Sequence, residues 1–178
     1  MSKVKKKVLE TFFQILDHKD EKIVKSLRAL SFFKHLSDKE LRILAKKCYI
    51  RYFQPEEEIY PENSPAAAVY FVVSGSVGMF KKRRSEITDR VQVIRSGMFF
   101  GDASIVGETT RKHSAQALEK TQTIVLFKSD FDEMELTAPQ LALALVKIIT
   151  QKYYSQLLHF QTEFHELSQK IAKDELMR

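Results

Sequence analysis

The central part of this chain, residues 49–128, alternates short runs of β-branched and aromatic residues with turn-forming residues. Runs that recur at intervals of roughly 8 to 12 residues are typical of antiparallel β structure. We therefore predict a small antiparallel β-barrel or jelly roll rather than a parallel α/β sheet. Gly75 lies between two of the runs and predicts a tight hairpin turn. The runs cover Tyr49–Phe53, Val69–Val73, Ser76–Lys81, Arg90–Ile94, Ser114–Ala117 and Gln122–Phe127.

Residues 3–48, before this segment, carry apolar side chains at helical spacing. The pattern is carried by Val4, Val8, Leu9, Phe12, Phe13 and Leu16, and then by Ile23, Leu27 and Leu30. Ser37 and Glu40 are spaced as a capping box, which predicts a helix from there to about Cys48. The side chains predicted to face inward from this helix are Leu41, Leu44 and Ala45.

The pattern becomes helical again from about Phe131, with Pro139 suited to the first turn of a long helix. Six apolar or aromatic residues then follow in alternating steps of four and three, namely Tyr153, Leu157, Phe160, Phe164, Leu167 and Ile171. This heptad seam predicts a homodimeric coiled coil, and the alternative is a helix packed on its own domain. We accordingly divide the chain into a helical extension (1–29), a β domain (30–136) and a C-terminal dimerisation helix (137–178).

Composition and charge restrict the function only weakly. The chain has 178 residues and a formal net charge of +6. Much of the excess lies in Lys3–Lys7 and Lys81–Arg84, where the alternatives are a nucleic-acid or anionic-membrane contact and ordinary solvated lysines. We favour the second, because no aromatic residues interleave the later cluster. A single cysteine, the lack of a secretory signal pattern and the lack of a long apolar run lead us to expect a cytoplasmic protein.

One short segment combines the groups needed to hold a sugar and a phosphate together. Backbone N–H groups near Gly101, Ala103 and Ser104 can approach an anion closely, because these residues are small. The carboxylate of Asp102 can accept a hydrogen bond from a ribose hydroxyl. The guanidinium of Arg111 can pair with a phosphate. The segment therefore predicts a phosphate-containing sugar ligand.

The order of these features resembles the cyclic nucleotide-binding domain family, the ligand domain of the catabolite activator protein and of protein kinase A regulatory subunits. The resemblance covers roughly residues 30–155 and rests on several motifs. They are Phe53–Tyr60, Val69–Gly75, the stretch Gly97–Asp102 that matches the family's G-x-x-F-G-E, and Leu126–Phe131. It implies helices around a small β-barrel that binds a cyclic nucleotide.

The resemblance also assigns roles within the phosphate-binding cassette. The family's ribose-binding glutamate falls on Asp102, the small residue at the phosphate on Ser104, and the proline–arginine pair on Thr110 and Arg111. Lys112 stands where the family has a small residue, and it either adds a second cation at the phosphate or blocks it. Without nucleotide, Asp102 is a candidate partner for Arg111. Family glycines are replaced by Glu56, Asn63 and Ala66.

These observations lead to an expected function. We expect a regulatory module that binds cyclic AMP, or cyclic GMP, and relays the signal through its C-terminal helix to an unknown downstream protein. The alternative is a degenerate, non-binding member that acts as a dimeric protein-interaction domain. We expect no enzyme activity, no metal site and no DNA binding, because neither a catalytic set, a His/Cys cluster nor a helix-turn-helix occurs in the sequence. His113 is expected to be a strand residue rather than a ligand contact.

Overall fold

The computed structural model describes residues 19–82, 88–107 and 109–176. The predicted helical pattern of residues 4–16, the lysines at 3–7 and the arginines at 83–84 lie outside the described residues. Residues 19–28 are helical (α1), and a 3-10 turn at Ser31–Phe33 leads to the helix Asp38–Lys46 (α2).

The predicted capping box at the start of α2 is confirmed. The Ser37 hydroxyl oxygen accepts a hydrogen bond from the Glu40 N–H at 3.3 Å, and the Glu40 carboxylate accepts one from the Ser37 N–H at 2.7 Å. Hydrogen bonds from Ser37 lower the pKa of the Glu40 carboxyl. The helix ends at Lys46, and the prediction that it reaches Cys48 was slightly wrong because Cys48 opens the first strand.

Eight strands follow, and all six predicted runs correspond to strands. The strands are β1 (Cys48–Phe53), β2 (Glu58–Tyr60), β3 (Ala68–Ser74), β4 (Ser76–Lys82), β5 (Thr88–Arg95), β6 (Phe99–Phe100), β7 (Ser114–Ala117) and β8 (Thr121–Phe127). The sequence analysis missed β2 and β6. Strands of three and two residues are too short to show an alternation of apolar and polar side chains.

The strands form two four-stranded antiparallel sheets, in the orders β1-β8-β3-β6 and β2-β7-β4-β5. The mainly antiparallel β class of the predicted barrel or jelly roll is confirmed, but among the described residues no ladder joins the two sheets, so they do not close into a barrel. The predicted hairpin at Gly75 was also wrong, because β3 and β4 belong to different sheets. Gly75 has a φ of +84° and turns the chain from one sheet to the other.

Two apolar cores hold these layers. The larger core packs the helices against the first sheet, and it includes Leu27, Phe33, Leu44, Phe71 and Phe131. The smaller core lies between the sheets and contains Tyr60, Val72, Val77, Met79, Ile94, Phe100 and Ala115. The first sheet is therefore covered on both faces, which explains why its central strands read as nearly continuous apolar runs.

Two C-terminal helices complete the fold, α3 (Lys128–Thr137) and α4 (Pro139–Leu176). The predicted helix start at Pro139 is confirmed. Leu141, Leu145 and Ile149 anchor the first part of α4 in the larger core, and residues 153–172 are all exposed. No described helix is long and apolar enough to cross a membrane.

Replacing Ser37 by Ala is expected to lower the free energy of unfolding by about 1 kcal/mol, because the cap of α2 loses its acceptor. Urea denaturation followed by circular dichroism measures the change. Ser129→Ala, at an exposed helical position of α3, is the matched control and is expected to be close to neutral. Equal effects from the two substitutions would contradict a stabilising cap at Ser37.

Candidate functional site

A pocket of about 260 Å³ lies between the second sheet and α4. Met79 on β4 and Ile94 on β5 form its apolar floor, and Lys152, Tyr153 and Gln156 of α4 form the opposite side. The remaining walls come from two loops, residues 100–103 after β6 and residues 110–113 before β7. The two loops that carry the predicted cassette therefore meet at one cavity.

The fold brings together six of the seven residues predicted to bind ligand. Gly101, Asp102, Ala103, Thr110, Arg111 and Lys112 all line the pocket. Ser104 does not line it, since its side chain is fully buried and its hydroxyl donates to the Gly101 carbonyl oxygen at 2.9 Å. The Ser104 side chain thus stabilises the turn and does not form part of the cavity wall.

Gly101 makes the turn after β6 possible. Its φ is +76°, and the chain enters a short 3-10 helix, Asp102–Ser104, directly after it. A Cβ atom at Gly101 would lie 2.7 Å from the Ala68 carbonyl oxygen and 2.9 Å from Nη1 of Arg111. The turn therefore needs glycine both for its backbone conformation and for the close approach of the arginine.

Arg111 is only 5% exposed, and three neighbouring groups contact its guanidinium. Its Nη1 donates to the Gly101 carbonyl oxygen at 2.9 Å and its Nη2 to the Ala68 carbonyl oxygen at 2.7 Å. The guanidinium carbon lies 4.3 Å from the centre of the Tyr60 ring. The buried Nε atom has no hydrogen-bond partner among the described residues.

The partner of Asp102 is Lys152, and the expectation that Asp102 pairs with Arg111 was wrong. Asp102 is 3% exposed, and its Oδ1 lies 2.8 Å from Nζ of Lys152. The same ammonium donates to the Phe99 carbonyl oxygen at 3.2 Å and lies 4.6 Å from the centre of the Phe99 ring. The guanidinium of Arg111 donates to the carbonyl oxygens of Gly101 and Ala68 instead, because these lie within hydrogen-bond distance.

Sequence reasoning missed Lys152 and gave Tyr153 a role only in the dimer seam. Burial, followed by the negative charge of Asp102, raises the pKa of Tyr153 to about 12. The Tyr153 phenol therefore keeps its proton at neutral pH. No local sequence signal marks Lys152, since it meets Asp102 only when α4 packs across a turn 50 residues earlier.

Lys112 and His113 lie on the other side of the pocket. Lys112 is exposed, and its Nζ lies 3.5 Å from the Thr110 hydroxyl. His113 lines the pocket, where desolvation and then the charge of Lys81 lower the pKa of its imidazole. The ring is thus neutral at neutral pH. Among the described residues no cluster of three or more His, Cys, Asp or Glu side chains is arranged to hold a metal.

The site lies within a segment that matches a known domain family. Residues 50–137 match the family model described as cyclic nucleotide-binding domain. This segment belongs to the cyclic nucleotide-binding domain family. The match begins in β1, ends with α3, and includes both loops of the pocket. Lys152 and Tyr153 lie beyond the matched segment.

Individual relatives agree with this assignment. The chain is 26% identical over 131 residues to the cyclic AMP receptor protein of Thermus thermophilus, a match that covers 69% of this chain. The chain spans 60% of the length of that curated relative. The resemblance implied by the sequence is therefore confirmed at the level of the family.

Solved structures show the same fold at lower identity. A cyclic nucleotide-binding domain from Methylobacillus flagellatus superimposes with a TM-score of 0.64 at 18% identity, over 78% of this chain and 80% of the other. The regulatory subunit of a cAMP-independent protein kinase A from Trypanosoma cruzi, bound to guanosine, has a TM-score of 0.63 at 17% identity. That match covers 81% of this chain and 52% of the other.

Gly101→Ala is expected to lower the free energy of unfolding by about 1 to 3 kcal/mol more than Gly97→Ala. Both glycines have a positive φ, but a Cβ at Gly97 meets nothing within 4 Å, so Gly97→Ala reports backbone strain alone. Chemical denaturation of both variants measures the difference. Equal losses would show that the approach of Ala68 and Arg111 to Gly101 does not constrain the turn.

Proposed function

We propose that this domain is a regulatory module that binds a 3′,5′-cyclic nucleotide, with cyclic AMP preferred, in the pocket beside α4. One observation carries the proposal. Asp102 and Arg111, an anion and a cation that are both at least 95% buried, line the same pocket, and each has a polar atom without a partner among the described residues. Buried groups of this kind are costly unless a ligand or a neighbour satisfies them.

The two unsatisfied atoms suit two groups of the sugar phosphate of a cyclic nucleotide. Oδ2 of Asp102 can only accept a hydrogen bond, which suits the ribose 2′-hydroxyl. Nε of Arg111 can only donate, which suits the cyclic phosphate. The short 3-10 helix that begins at Asp102 adds backbone N–H groups near the same phosphate. Met79, Ile94 and the Tyr153 ring would then enclose the base.

The comparisons support a nucleotide or nucleoside as the ligand class. The family name and the cyclic AMP receptor protein point to cyclic nucleotides, whereas the Trypanosoma cruzi regulatory subunit was solved with guanosine. Arg111 distinguishes these ligands, because a buried cation beside the pocket favours a ligand that carries a phosphate. We therefore place cyclic nucleotides before nucleosides for this chain.

We further propose a regulatory rather than a catalytic role. Asp102 and Arg111 are held by Lys152 and by backbone carbonyl oxygens, not aligned with a nucleophile in the described part of the chain. The signal would pass to α4, because this helix supplies one side of the pocket. A ligand that contacts α4 differs in affinity between two positions of that helix, which is what coupling requires.

Titration calorimetry with cyclic AMP and cyclic GMP tests the proposal. Arg111→Ala is expected to weaken cyclic AMP binding about 10- to 100-fold, because charge-assisted hydrogen bonds to the phosphate are lost. Arg51→Ala, which removes an exposed arginine from β1, is the matched control and should leave the affinity unchanged. Guanosine as a competing ligand reports whether the phosphate contributes.

The absence of heat and of a thermal shift with folded wild-type protein at millimolar ligand would contradict binding of a cyclic nucleotide. This result would favour the second candidate, a degenerate domain that acts as a dimeric protein-interaction module, for which the occupation of Asp102 by Lys152 is the specific argument. Equal affinity of wild type and Arg111→Ala would instead contradict the assignment of Arg111 to the cyclic phosphate.

We also propose that the chain forms a homodimer through the second half of α4. The six seam residues are between 41% and 62% exposed. Phe160 and Phe164 lie on one face with their ring centres 6.3 Å apart. From residue 153 to residue 176 the helix is about 36 Å long. A stripe of this length that the described residues of its own domain leave exposed is suited to a parallel or antiparallel partner helix.

Phe160→Glu is expected to shift the protein from dimer to monomer at micromolar concentration, because it places a charge in the apolar seam. Sedimentation velocity measures the assembly state. Thr162→Glu is the matched control. It adds the same charge, but Thr162 lies two positions from Phe160 and on the opposite side of the helix. A wild-type protein that sediments as a monomer at tens of micromolar would rule the dimer out.

A further inference from the structure

Lys152 forms an ion pair with the Asp102 carboxylate, the group that the proposed function assigns to the ligand. Its Nζ lies 2.8 Å from Asp102 Oδ1, donates to the Phe99 carbonyl oxygen at 3.2 Å and lies over the Phe99 ring. Through these three contacts the Lys152 ammonium binds Phe99 and Asp102, the two ends of the turn between β6 and the short 3-10 helix. Lys152 thus connects α4 with this turn by an ion pair, and its own side chain is 20% exposed.

The second oxygen of the same carboxylate is not accessible either. Asp102 Oδ2 is buried and has no hydrogen-bond partner among the described residues. Tyr153, the next residue of α4, lies close enough for the Asp102 charge to act on its phenol. Because Oδ1 is paired with Lys152 and Oδ2 is buried, a ribose hydroxyl can reach the carboxylate only when Lys152 releases it.

We propose that Lys152 determines the ligand affinity of this site as an internal competitor, which holds α4 against the Phe99–Asp102 turn and must release Asp102 before a ligand hydroxyl can bind it. The proposal rests on the proposed function for the identity of the ligand. Its first half, the attachment of α4 by the ion pair, concerns the ligand-free protein and is tested separately.

The direction of the effect follows from which state contains the ion pair. The pair stabilises the ligand-free state alone, so its free energy opposes binding. Removing the ammonium leaves Asp102 buried and unpaired, which raises the free energy of the ligand-free state. A ligand that then supplies a hydroxyl to Asp102 binds more tightly. Ligand binding and release of α4 are thereby linked through one carboxylate.

The decisive variant is Lys152→Met, which keeps a long side chain but removes the charge and the donors. We expect it to tighten cyclic AMP binding about tenfold, which corresponds to about 1.4 kcal/mol. Lys147→Met removes an exposed lysine from the same helix outside the pocket and is expected to leave the affinity unchanged. Lys152→Arg keeps the ion pair and is expected to retain the wild-type affinity.

A ligand that lacks the hydroxyl separates this effect from a general change of the fold. We expect 2′-deoxy cyclic AMP to bind wild type and Lys152→Met with equal affinity, because it does not use Asp102. A rearranged pocket would alter the affinity for both ligands. Hydrogen exchange of the ligand-free proteins tests the attachment of α4, and Lys152→Met is expected to exchange faster than wild type around residues 150–156.

Each outcome decides one part of the proposal. Unchanged or weaker cyclic AMP binding by Lys152→Met overturns the competition, and weaker binding would instead make Lys152 a contact that orients Asp102 for the ligand. Equal exchange rates overturn the attachment of α4. If the folded wild type binds no cyclic nucleotide, the proposed function and the competition both fail. The exchange rates then decide on their own whether the ion pair holds the helix.

Discussion

The buried guanidinium of Arg111 connects three segments that lie far apart in the sequence. It donates to the carbonyl oxygens of Ala68, at the start of β3, and of Gly101, after β6, and it rests on the ring of Tyr60 in β2. β2 belongs to one sheet, whereas β3 and β6 belong to the other. The guanidinium of Arg111 thus connects the two sheets, and the wall of the pocket depends on this connection.

The same arrangement explains why the pocket responds to α4. Arg111 donates to two backbone carbonyl oxygens, and Asp102 pairs with another cation. Lys152 supplies that cation from a helix whose first half is fixed in the larger core by Leu145 and Ile149. The cation that pairs with Asp102 therefore comes from α4, and the second half of this helix carries the exposed apolar stripe.

Much of the fold could be predicted because it is encoded in local patterns. The capping box of Ser37 and Glu40 and the helix start at Pro139 each depend on neighbours within a few residues. The β runs were equally readable, apart from β2 and β6, which are too short to show a period. Gly75 was correctly seen as a turn, but whether a turn joins paired strands or two sheets depends on strands distant in sequence.

The sequence by itself determined the mainly antiparallel β class, the helices around it and the residues of the cassette, because spacing and residue type carry that information. Six of the seven predicted ligand-binding residues line the pocket. Only the tertiary structure decided that the sheets stay open, that Ser104 lies away from the cavity and that Asp102 pairs with Lys152. The reason is physical: a buried carboxylate pairs with whichever cation the packing brings within reach, and the packing of α4 in the larger core brings Lys152 to this turn.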